Sequence, residues 1–204
     1  VKVLSYQGTL DRMRQEESTL STAKTALLET SALVTLQSLG ILPQVSTAFD
    51  SLRVTQQAID ALAEAVMSLF PEKQTGHLFS DSPGRIQLVS RTSAEVAREQ
   101  DFYQQLLDFV RTRCQVVAPR GRKGLEEFEK VDIQKMLGPV ALSTLSTAAD
   151  FGILVISDDL PLRVLAQNSY SVSSVGTLSL LRHLRRQSVL SEDECHKAVQ
   201  WLVD

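Results

Sequence analysis

The feature that most constrains this chain is a short apolar run, Ile153-Leu154-Val155-Ile156, closed at once by Ser157-Asp158-Asp159. Four apolar residues without alternation fit a strand buried on both faces, as a central strand of a parallel sheet is. Parallel neighbours need long crossovers, usually helices laid on the sheet faces. The run therefore asks for strands and helices in alternation, and the rest of the chain supplies them.

Thr25-Ala26-Leu27-Leu28-Glu29 predicts a first short strand, followed by a helix over 32–39 with Leu33, Leu36 and Leu39 on its apolar side. Thr30 or Ser31 is placed to cap that helix, and Gly40 to end it. Leu52-Arg53-Val54 predicts a second strand, and 56–70 a helix with Ile59, Leu62, Val66 and Leu69 on one face. Pro71 closes it, and 71–85, rich in Gly, Pro, Ser and charge, reads as a loop. Ile86–Val89 reads as a strand, and Thr92 with Glu95 as a capping box before a helix to Arg113. Residues 115–118 predict a further strand, and 119–130 a charged connection. A helix over 133–150 carries Gly138-Pro139 as a break, and Pro161 opens the helix after the apolar run. A strand at Ser171-Val172, a helix over 174–186 and a last helix over 192–203, boxed by Ser191 and Glu194, complete the pattern. Residues 1–23 read as a leading segment with a strand or helical turn. The expected fold is α/β: a three-layer α/β/α sandwich around a mainly parallel sheet of four or five strands. The expected organisation is a single domain over 1–204, with an enlarged loop and helical insertion around 71–130.

Composition narrows the function classes. With 204 residues, 43% hydrophobic, the chain is long enough to bury a core and unlike a disordered one. Its apolar runs fall far short of the roughly 18–20 residues of a membrane span. No charged-then-apolar leader opens the sequence, so a cytoplasmic protein is expected, and the initial Val1 suggests a piece of a longer chain. Two cysteines, Cys114 and Cys195, make neither a disulfide framework nor a metal cluster. The net charge of −3 lacks the basic excess of a sequence-independent duplex binder. Local basic clusters remain as candidate nucleic-acid contacts: Arg120, Arg122 and Lys123 in the charged connection, and Arg182 and Arg186 one turn apart on the penultimate helix. His77, His183 and His196 are scattered and read as structural or surface residues, and Trp201 as an anchor docked within the fold.

In an open α/β sheet the ligand crevice lies beyond the C-terminal strand ends. Three stretches place acids there: Glu29 beside Thr30 and Ser31, then Asp60 and Glu64 one turn apart on the helix after the second strand, then Asp158 and Asp159. Carboxylates clustered with a hydroxyl suit Mg²⁺ or Mn²⁺. Taken singly, each acid also reads as a solvated cap.

LLETSALVTLQSLGIL (27–42) resembles the opening of PIN domains, in which a strand ends in Asp-Thr-Ser; here Glu29 stands for the Asp. FGILVISDDLPLRVLAQ (151–167) is similar to the family's closing motif, and VSSVGTLSLLRHLRRQSVLSEDECHKAVQWL to the end of a PIN subgroup found in longer multi-domain chains. The resemblance implies a Mg²⁺- or Mn²⁺-dependent endoribonuclease, with Glu29 as the first acid, Asp159 or Asp158 as the last and Ser31 as the hydroxyl near the metal. At the second acid's usual place stands Ala61, so Asp60 or Glu64 would serve; at the third stand Ser143 or Ala141. The alternative it implies is a catalytically degenerate PIN-like module that binds RNA, a nucleotide or a neighbouring domain of its parent chain.

Overall fold

The computed structural model describes residues 10–69, 76–82, 85–121 and 127–203. In chain order the elements are α1 (Leu10–Thr22), β1 (Thr25–Leu28), α2 (Thr30–Ser38), α3 (Leu42–Ala48), β2 (Ser51–Thr55), α4 (Gln56–Ser68), β3 (Gly76–Ser82) and β4 (Arg85–Ser90). There follow α5 (Ser93–Arg113), β5 (Cys114–Val117), α6 (Glu127–Phe151), β6 (Leu154–Ile156), α7 (Leu160–Tyr170), β7 (Ser174–Val175), α8 (Thr177–Arg186) and α9 (Glu192–Val203).

Five strands form one sheet in the order β5-β2-β1-β6-β7, and every pairing in it is parallel. The apolar run supplies β6, which lies between β1 and β7 with all three residues buried. Side chains alternate across the pleat, so each strand feeds two cores. Ala26, Leu28, Leu52, Val54, Leu154 and Ile156 pack with Leu33 and Leu36 of α2, Leu106 and Val110 of α5, and Leu180 and Leu184 of α8. Leu27 and Val155 face the other way, onto Leu145 and Ala148 of α6 and Leu162 and Ala166 of α7. The result is the expected three-layer α/β/α arrangement.

Helix ends follow local chemistry. Thr92 and Glu95 form a reciprocal box at the start of α5, and Ser191 and Glu194 make the same exchange before α9. Inside α6, Gly138 takes φ +84° directly before Pro139, which produces the expected break. Pro139 cannot donate an amide, and Gly138 meets no Cβ penalty at positive φ.

Several expectations are corrected. Residues 10–22 form a 13-residue helix, α1, rather than a weak leading segment; residues 1–9 lie outside the described residues. Its mean hydropathy hid it, because what anchors it is an ion pair, described below. α3 was not anticipated. The expected loop over 71–85 contains β3, paired antiparallel with β4 in a separate two-stranded sheet. The last strand is at Ser174–Val175, because Ser171 adopts a left-handed conformation (φ 50°) that caps α7. Trp201 is 48% exposed on α9, so it does not dock within the fold. No helix among the described residues is long and apolar enough to cross a membrane.

Candidate functional site

Strand register brings the two acidic stretches together. Leu28 pairs with Ile156, so Glu29 and Ser157 leave the sheet side by side, and the Glu29 amide donates to the Ile156 carbonyl at 3.0 Å. Glu29 is itself the N-cap of α2: its Oε2 accepts from the Ser31 amide at 2.9 Å, from the Ser31 hydroxyl, and from the Ser157 hydroxyl at 2.9 Å. The cap expected of Thr30 or Ser31 is thus supplied by the residue before them, whose longer side chain curls back over the first turn.

The two serines play matching parts. Each donates to Glu29 and accepts a backbone amide from the acidic pair: Ser31 Oγ from Asp158 N–H at 2.9 Å, Ser157 Oγ from Asp159 N–H at 3.1 Å. Glu29 is buried at 7% exposure. Burial is the main influence on its carboxyl and pushes its pKa up. The three donated hydrogen bonds pull the other way, and the neighbouring Asp159 charge adds a smaller upward push.

The paired aspartates have different surroundings. Asp158 is buried and turned into the protein, where Oδ1 accepts the Thr177 amide at 2.8 Å and Oδ2 the Thr177 hydroxyl at 2.7 Å. Asp159 is half-buried and caps α7, with Oδ1 accepting from Leu162 N–H at 3.0 Å. Glu29 Oε1 and Asp159 Oδ2 carry no hydrogen bond among the described residues, so the crevice presents one unengaged oxygen from each acid.

The other predicted acids stand apart. Asp60 and Glu64 are exposed on α4, and Asp60 accepts from Gln56 at 2.8 Å. Gln57, one turn before Ala61, instead bridges α4 to α6: its Oε1 accepts from Ser143 Oγ at 2.7 Å. A neutral amide–hydroxyl pair therefore joins the two helices from which a second and third acid would come. Among the described residues, no three Asp, Glu, His or Cys side chains converge in a group that could hold a metal ion.

These placements join a five-stranded parallel sheet to an acidic crevice built by β1 and β6, its third and fourth strands in space. A family model for the "PIN domain associated with the TPR-GreAB-C-PIN system" matches residues 27–168. The chain belongs to this PIN domain family. The match runs from β1 into α7 and so takes in Glu29, Ser31, Asp158 and Asp159. Comparison with the curated proteins and with the solved structures gives no match.

The PIN match stops short of β7, α8 and α9 and begins after α1, yet these elements are tied to it. Glu16 of α1 is buried and forms an ion pair with Arg163 of α7, while its Oε2 accepts from Ser179 of α8 at 2.6 Å. The described basic candidates, Arg120, Arg182 and Arg186, make their contacts away from the crevice. Arg182 and Arg186 of α8 both pair with Glu17 of α1, at 3.3 and 2.6 Å. Arg120 lies over the Phe151 ring, 4.3 Å from its centroid. Arg122 and Lys123 lie outside the described residues. Sequence reasoning missed three site residues: Gln57, Ser157 and Thr177. Thr177 had a signal, since a Gly-Thr pair opening a helix offers both an amide and a hydroxyl to an acid.

Proposed function

We propose that this PIN domain is a non-hydrolytic module, which uses the polar crevice at its strand C-termini to dock a neighbouring domain of its parent system. The observation that carries this reading is the Gln57–Ser143 hydrogen bond, a neutral pair joining α4 and α6, the two helices on which a PIN nuclease carries its further carboxylates. The donor set fits a two-ion centre poorly. Asp158 has both oxygens engaged by Thr177, and Asp60 and Glu64 face solvent. The family's description, which associates the domain with TPR and GreAB-C partners, supports a protein neighbour. RNA is the less favoured ligand, because Arg182 and Arg186 are held by Glu17 and, among the described residues, no cation joins the Glu29–Asp159 pair.

A second reading rests on that same pair. Glu29 and Asp159 each offer an oxygen without a hydrogen bond among the described residues, enough for a single Mg²⁺ or Mn²⁺ in an endoribonuclease with a reduced acid set. Calorimetric titration with Mn²⁺, beside an RNA cleavage assay, separates the two. The docking module shows neither saturable binding at millimolar Mn²⁺ nor cleavage. Binding and cleavage that both disappear in Asp159→Asn establish the nuclease instead, since Asn keeps the helix cap and removes the charged ligand.

A further inference from the structure

A second cleft, of about 440 Å³, opens at the opposite ends of the strands, where β1 and β6 begin. Lys24, Thr25, Arg53, Phe151, Gly152 and Ser173 are among its lining residues, and among the described residues no carboxylate lines it. In a chain of net charge −3, a cleft walled by cations and hydroxyls is unexpected.

Arg53 is its central group. Register places it in one cross-sheet row with Gln115, Leu27 and Val155, on the face covered by α6. Leu27 and Val155 fill the core there, whereas the Arg53 guanidinium lies over the ring of Phe151 at the end of α6, 5.6 Å from its centroid. The Nε of Arg53 is buried without a hydrogen-bond partner, and the side chain has no ion pair among the described residues. A buried donor left unpaired forfeits its hydration without compensation, so it marks a place where an acceptor is wanted. Arg120 stands over the same ring, and Lys24 is likewise without an ion pair among the described residues. Asp150, next to Phe151, directs Oδ2 to the amides of Arg120 and Gly121.

We propose that this cleft binds a phosphate-bearing anion, with Arg53 as the principal donor and Lys24 as a second charge. A guanidinium presents a planar fork of donors that matches phosphate oxygens, and an ammonium adds a point charge. Thr25 and Ser173 add hydroxyls to the wall, and Gly152, at φ +63°, turns the chain beside them. The volume exceeds that of a single phosphate and leaves room for an organic group attached to it. None of these residues belongs to the Glu29–Asp159 crevice, so the site stands or falls independently of the docking function.

The test is amide-resonance titration of the whole chain at constant ionic strength, with inorganic phosphate in one arm and adenosine monophosphate in the other. Saturable shifts are expected at Lys24, Arg53 and Gly152. Affinity should fall about tenfold in Arg53→Gln, less in Lys24→Gln, and not at all in Arg185→Gln, an exposed cation on α8. A tighter fit for the nucleotide identifies an organic phosphate as the ligand; equal affinities identify the free anion. Lys24 is exposed, so its variant keeps the test decisive even if Arg53→Gln does not fold. Shifts that never saturate, or losses as large in Arg185→Gln as in the cleft variants, overturn the proposal.

Discussion

Asp158 closes both carboxylate oxygens on a single residue, Thr177, nineteen positions downstream, accepting its amide at 2.8 Å and its hydroxyl at 2.7 Å. The contact joins the end of β6 to the start of α8 and satisfies one of that helix's free amides. Of the adjacent aspartates, one is therefore a buried fastener and the other a half-exposed cap facing the crevice.

That division predicts opposite costs for neighbouring substitutions. Asp158→Ala leaves the Thr177 amide and hydroxyl unpaired in the interior and should destabilise the fold by about 2–3 kcal/mol. Asp159→Asn keeps the cap on α7 and should stay within about 0.5 kcal/mol of the parent. Urea unfolding of the two variants checks the contrast, and similar midpoints would contradict it.

Glu29 carries a pH signature. Its carboxyl is held above the ordinary value of 4.5, chiefly by burial, so the folded state keeps a proton that the unfolded chain has lost. Its contribution is therefore fully present below pH 4.5 and declines as pH rises through the higher folded value. Glu29→Gln, which keeps an oxygen for Ser31 and Ser157, should flatten this part of the stability profile. Thermal melts from pH 4 upward report it, and parallel profiles for parent and variant would show that Glu29 is not the group responsible.

The ion pair between Glu16 and Arg163 should be dominated by the cost of breaking it. Both side chains are buried, and burial holds the Arg163 guanidinium below its usual pKa despite the carboxylate beside it. Glu16→Ala strands that cation and should cost about 3–5 kcal/mol, while Glu16→Met with Arg163→Met should recover much of the loss. A double-mutant cycle in denaturant measures the difference. A double variant no more stable than Glu16→Ala would count against it.

The crevice should respond to an added acid. Ser143→Asp, facing α4 beside Gln57, introduces a carboxylate on the helix where a PIN nuclease has its third acid. Saturable Mn²⁺ binding should then appear in a calorimetric titration, absent from the parent chain and lost again when Asp159→Asn is added. An unchanged baseline would mean that α6 stands too far from Glu29 for the two to share an ion.

The sequence by itself determined the architecture of this protein. Ile153–Ile156 without alternation required a doubly covered strand, and capping signals such as Thr92 with Glu95 marked where helices start, because hydrophobic period and end chemistry are local properties. The acids Glu29 and Asp159 were legible for the same reason, since each ends a strand that the pattern reveals. Only the tertiary structure decided what those acids touch. Whether Asp158 or Asp159 faces the crevice depends on Thr177, whether α4 and α6 meet through carboxylates depends on Gln57 finding Ser143, and α1 exists as a docked helix because Glu16 meets Arg163. Each of these pairs is distant in sequence, and a polar side chain carries no mark of its partner until the sheet register has brought the two within hydrogen-bond reach.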